Sequence, residues 1–127
     1  MSAFIFISED EFRGAYRCEV PAGIESKSDL MEALFGALKF PDYFGGNWDA
    51  LWECICDLAW LPEGDVVLFH NDLPLSADRA LLLTYLQILK DAVEKWKSDG
   101  RRRLIVVFPS DTENVVQDML DETNPRS

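Results

Sequence analysis

Positive charge is scarce in this chain of 127 residues: 12 Lys and Arg stand against 23 Asp and Glu, a formal charge of −11. Such a surface repels a phosphate backbone, which argues against nucleic acid as a direct ligand and admits a basic protein as partner. No apolar run reaches the ~20 residues a membrane span needs. The first apolar stretch, Ala3 to Ile7, is too short for a signal-peptide core and has no basic flank. The expectation is a cytoplasmic protein with no membrane partner. Cysteine is sparse as well. Cys18, Cys54 and Cys56 are odd in number, lack a disulfide-framework spacing, and fit a reducing compartment. With no internal repeat, low-complexity tract or long linker, residues 1–127 are expected to form a single domain.

What is present is punctuated clearly. Ala15 to Val20 alternates Tyr16, Cys18 and Val20 with Arg17 and Glu19, a strand with one wet face. Ser28 is a candidate N-cap for a helix from about Asp29 to Lys39, with Asp29 and Glu32 in its first turn. Pro41, Gly45 and Gly46 forbid that helix from continuing. Asn47 then caps a second helix to about Ala59, with Trp48, Leu51, Trp52, Ile55 and Ala59 on one face. Val66 to Phe69 is an unbroken apolar run, suited to a strand buried on both sides. Ser76 or Asp78 opens a third helix striped by Leu82, Leu86, Leu89, Val93 and Trp96, and Gly100 ends it. Leu104 to Phe108 is the last apolar run, stopped by Pro109. The order predicts an α/β fold with a small three-stranded parallel sheet packed with helices. Phe4 to Ile7 as an extra edge strand, and Val115 to Leu120 as a terminal helix, stay open.

The segment from Pro41 to Val66 holds six acids and no Lys or Arg. Asp49, Glu53 and Asp57 stand at i, i+4 and i+8 and form one ridge beside Trp52. Like charges at this spacing cost a helix a few tenths of a kcal/mol per pair. The ridge is either a solvated helix face, with Asp49 serving the macrodipole, or an anionic surface prepared for a cationic pocket. Tyr43 and Phe44 precede it in a loop, an arrangement resembling the aromatic centre of a protein interface. Trp48 is expected in the core, and Trp52 at the edge between core and interface.

The run Phe40-Pro41-Asp42-Tyr43-Phe44-Gly45-Gly46-Asn47-Trp48-Asp49-Ala50-Leu51-Trp52-Glu53-Cys54 closely resembles the loop and second helix of the barstar family. These are intracellular inhibitors of secreted guanyl-specific ribonucleases. The resemblance covers about residues 15–109, leaving 110–127 as a terminal extension, and it implies a protein that is not an enzyme and needs no cofactor. The family's helix acid beside the Trp enters the nuclease active site in place of a substrate phosphate. That position is Glu53 here, where the family usually has Asp. Asp49 matches a second acid on the same face, Tyr43 a loop aromatic that stacks on the enzyme's catalytic His, and Asn47 and Trp52 further contacts. Phe44, Gly46 and Asp57 complete the expected surface. A late acid on the third helix is also implied; Glu94 is nearest, although Lys95 or Trp96 also fits. The implied partner is a basic extracellular-type ribonuclease or the ribonuclease domain of a toxin, bound by a chain that is a monomer when free.

Other readings compete. Asp49 and Glu53 as a catalytic carboxylate pair would need a cleft and one raised pKa, and a convex ridge is a poor pocket. Cys54 and Cys56 with His70 suggest a metal, but residues two apart on a helix point about 200° apart, so no metal site is expected. His70, the sole histidine, is expected to make a loop hydrogen bond. Arg101-Arg102-Arg103 fits the negative end of the third helix better than a nucleic-acid patch. A scaffold or regulatory module with a non-nuclease basic partner is the alternative from another class.

Overall fold

The computed structural model describes residues 4–7, 14–42 and 44–122. Its elements run β1 (Phe4–Phe6), β2 (Tyr16–Val20), α1 (Lys27–Ala37), α2 (Trp48–Asp57), β3 (Val66–His70), α3 (Arg79–Asp99), β4 (Leu104–Phe108) and α4 (Glu113–Glu122), the last entered through a 3-10 turn at Ser110–Thr112. All strand pairs are parallel, in the order β1-β4-β3-β2. The sheet thus has four strands, not the expected three. Phe4–Phe6 is a real edge strand in register with Val106–Phe108, and α4 realises the terminal helix.

The steps β2 to β3 and β3 to β4 move the same way across the sheet. Right-handed crossovers therefore put their helices on one face. That face carries Cys18, Val20, Val66, Leu68, Leu104, Val106 and Phe108, and residues of all four helices close over it. Val116 and Met119 of α4 are buried in this core. The opposite face is a smaller cluster of Val67, Phe69, Ile105 and Val107, with Ile7 and Ala15 against it. Both central strands are buried on both faces, as their unbroken apolar runs require.

Helix ends follow local chemistry. Ser26, not Ser28, caps α1: its Oγ accepts the Asp29 N–H at 3.1 Å, so the helix begins at Lys27 and ends at Ala37. Asp78 rather than Ser76 caps α3, accepting the Leu81 N–H. α2 stops at Asp57 because Leu58 turns left-handed, which leaves Ala59 exposed beyond the apolar face it was expected to join.

The three arginines divide their work. Arg101 pairs with exposed Asp99. Arg102 instead donates to the carbonyls of Gly64, Pro62 and Leu58, and so serves the negative end of α2 rather than α3. Arg103 grips Asp65 at 2.7 Å and holds its carboxyl below the usual carboxylate range.

Candidate functional site

α2 is the platform of the site. Asn47 Oδ1 accepts the Ala50 N–H at 2.8 Å and fixes its first turn. Leu51, Cys54 and Ile55 bury its inner face. Three ties then hold it. The Trp96 indole N–H donates to the Ile55 carbonyl at 3.0 Å, Arg102 reaches the Leu58 carbonyl, and the Trp60 indole N–H donates to the Leu38 carbonyl at 2.9 Å, binding the segment after α2 to the end of α1. A helix capped at its start and tied at its end presents its outer side chains at fixed positions.

Asp49, Glu53 and Asp57 lie on that outer face, all exposed. Among the described residues none of the three has a cationic partner within ion-pair distance. The ridge is therefore an uncompensated anionic edge. Trp52 is half-buried beside it and packs on the core. Trp48, expected inside, is also only half-buried, and the Lys27 ammonium stands 5.3 Å from its ring centre. Asn47 and Gly46 are exposed at the helix entrance, and Gly46 adopts φ 71°, a left-handed turn that glycine makes at little steric cost. Tyr43 lies outside the described residues. Glu94 is exposed on α3.

Phe44 belongs to an aromatic cluster. It stacks on Phe35 at 6.2 Å and tilts against Phe40 at 4.7 Å, while Phe40 meets Trp60 edge-on at 6.2 Å. Between Phe44 and Trp60, α2 presents Ala50 and Cys54 as a floor and Glu53 and Asp57 as a rim, leaving a notch of about 210 Å³. Residues 50, 53, 54 and 57 share one helix face, which is why they converge. Trp60 was the residue that sequence reasoning missed: it falls beyond the helix, where no periodicity marks it. A larger open groove of about 960 Å³ runs on the other flank, between the end of α2 and the end of α3. It mixes Lys95 and Arg101 with Asp57, Glu63 and Asp99.

Among the described residues, His70 bonds to β4 and α3 rather than to a loop. It is wholly buried at the end of β3, where the Val107 carbonyl accepts from Nδ1 and the Tyr85 hydroxyl sits on Nε2. Cys54 is buried, and Cys56 is half-exposed with its thiol pushed up to about 11 by burial. Among the described residues no group of His, Cys, Asp and Glu converges as a metal site, and no helix is long and apolar enough to cross a membrane. The arrangement offers exposed carboxylates beside aromatic side chains, which is chemistry for binding.

A family model described as Barstar (barnase inhibitor) matches residues 20–108. That span contains α1 to β4 and every ridge residue. No curated protein matches the chain.

Proposed function

The chain belongs to the barstar family, and from that premise we propose that it inhibits a basic, barnase-type ribonuclease by occluding the enzyme's active site. The observation that carries this reading is the ridge of Asp49, Glu53 and Asp57, exposed on a tied helix and free of any cationic partner among the described residues. A carboxylate presented this way accepts charge-assisted hydrogen bonds from arginines that otherwise hold a substrate phosphate. Glu53 is the residue for that role, with Asp49 beside it. Tyr43, Phe44 and Trp52 supply aromatic contact at the centre, and Gly46, Asn47 and Glu94 lie toward the rim.

The chemistry is occlusion, with no bond made or broken. An interface of standard size buries roughly 800 Å² on each partner. A charge of −11 steers a basic enzyme toward this surface and makes association salt-dependent. The same contacts serve when the nuclease is a domain of a larger toxin, and the chain then acts as an immunity protein. Titration of the chain into a basic guanyl-specific ribonuclease, at low and moderate salt, tests the reading. Stoichiometric loss of RNA cleavage is expected, reached more slowly at higher salt. Full activity at excess chain would overturn it.

A further inference from the structure

Opposite charges line one groove without meeting. The groove of about 960 Å³ runs between the loop 59–64 and the last turns of α3. Glu63 lines it from the loop and Lys95 from the helix, both exposed. Among the described residues neither has a partner of opposite charge within ion-pair distance. The other cations of the groove are spent inside the chain. Arg101 pairs with Asp99, while Arg102 donates to the carbonyls of Leu58, Pro62 and Gly64 and stands over the Trp96 ring. The Arg102 bonds also hold the two walls together, because they join the loop carrying Glu63 to the segment that ends α3. Lys95 is thus the lining cation left for an occupant, on a chain whose formal charge is −11.

We propose that this groove receives an extended segment of the partner protein carrying one acidic and one basic side chain, the carboxylate on the Lys95 ammonium and the cation on the Glu63 carboxylate. An occupant of positive charge alone is repelled by Lys95, and one of negative charge alone by Glu63. An apolar occupant would strip water from both and return no hydrogen bond. A segment with both signs satisfies both walls. The volume stands at the upper end of ligand clefts, room for a short stretch of chain rather than one side chain. Pairs this exposed add little affinity, so their effect is selection. A basic nuclease with an acid facing Lys95 is favoured, and one that is basic throughout meets a like charge there. This surface lies on α3 and the loop after α2, beyond the ridge, and Lys95 acts in it as a specificity residue.

That the partner is a nuclease rests on the inhibitor reading, but the groove is testable without one. The full-length chain, labelled with nitrogen-15, is titrated with four peptides capped at both ends: Arg-Gly-Asp, the reversed Asp-Gly-Arg, the cation-only Arg-Gly-Asn and the anion-only Asn-Gly-Asp. At least one of the first two is expected to shift the Glu63, Gly64 and Ser98 amides saturably, and to bind about threefold more tightly than either singly charged peptide. Lys95→Gln should erase its advantage over the cation-only peptide, and Glu63→Gln its advantage over the anion-only one. Both residues are exposed, so melting curves matching the parent are expected and keep the variants informative. Equal binding of all four peptides, shifts away from the groove, or an unchanged preference in Lys95→Gln would overturn the proposal. An equal response to the small zwitterion glycylglycine would also overturn it, assigning the groove to a free metabolite rather than a protein segment. A chain that inhibits a ribonuclease yet shows no preference for both charges loses the groove alone. A chain that shows the preference but inhibits nothing loses the inhibitor reading alone.

Discussion

The Tyr85 hydroxyl lies 2.7 Å from Nε2 of His70, and both side chains are fully enclosed. A carbonyl only accepts, so the bond from His70 to Val107 at 3.0 Å puts the ring proton on Nδ1. Nε2 is then the acceptor for the Tyr85 O–H. This neutral relay ties β3, β4 and α3 together, and Phe108 stacks on the imidazole at 4.1 Å. Burial pushes the His70 pKa down to about 4.

Stability should therefore fall in mild acid. The unfolded chain takes up a proton below the ordinary histidine value near 6.5, whereas the folded chain refuses it until about pH 4. The contribution is fully present above pH 6.5, is lost progressively between there and 4, and is on the order of 3 kcal/mol. Denaturant unfolding at pH 7.5, 6 and 5 reads it out. His70→Asn, which keeps a donor for Val107, should flatten that slope; an unchanged slope would assign it to the carboxylates instead.

Tyr85→Phe removes the donor and leaves Nε2 buried without a partner. It should cost about 1–3 kcal/mol at neutral pH. The loss should come with little change in the fold, as followed by circular dichroism.

Arg101 and Arg102 are neighbours of equal charge, but the structure separates them. Arg102→Ala removes hydrogen bonds to three carbonyls and a guanidinium 4.9 Å from the Trp96 ring centre. It should cost about 1–2 kcal/mol. Arg101→Ala removes only an exposed pair with Asp99 and should cost under about 1 kcal/mol. Equal losses in thermal unfolding would contradict this division.

Lys39 follows the end of α1 with φ 54°, and the Phe40 N–H reaches back to the Phe35 carbonyl at 3.0 Å, a glycine-type helix stop made without glycine. Its side chain is exposed. Lys39→Gly should raise stability by about 1 kcal/mol by relieving the left-handed strain. A lower melting temperature would mean that the lysine stem packs usefully.

Much of this was legible in the sequence because the signals are local. Asn47 caps α2 as a short polar residue before an apolar run does, and Gly100 ends α3 in the left-handed turn its position implies. The sequence suggests Ser28 where Ser26 is the cap, because both serines precede Asp29 and only geometry shows which hydroxyl meets its N–H. β1 escaped certainty because three residues carry little periodicity and their partner, β4, lies about a hundred residues on. The His70–Tyr85 bond joins a strand end to a helix fifteen residues later, which no sequence period relates. On α2 the ridge was readable from i, i+4 spacing alone. The notch was not, since Trp60 comes to it through a hydrogen bond with the end of α1 and an edge contact with Phe40.

The central claim concerns Glu53, and one variant tests it most directly. Glu53 is exposed and stands one turn from both Asp49 and Asp57, so Glu53→Ala relieves like-charge repulsion and should leave the melting curve unchanged or raise it by a few tenths of a kcal/mol. In a titration against a basic guanyl-specific ribonuclease, the parent chain should abolish RNA cleavage at one equivalent. The variant should need a large excess, with a loss of at least about 2 kcal/mol of binding. An intact melting curve with inhibition equal to the parent would contradict the account.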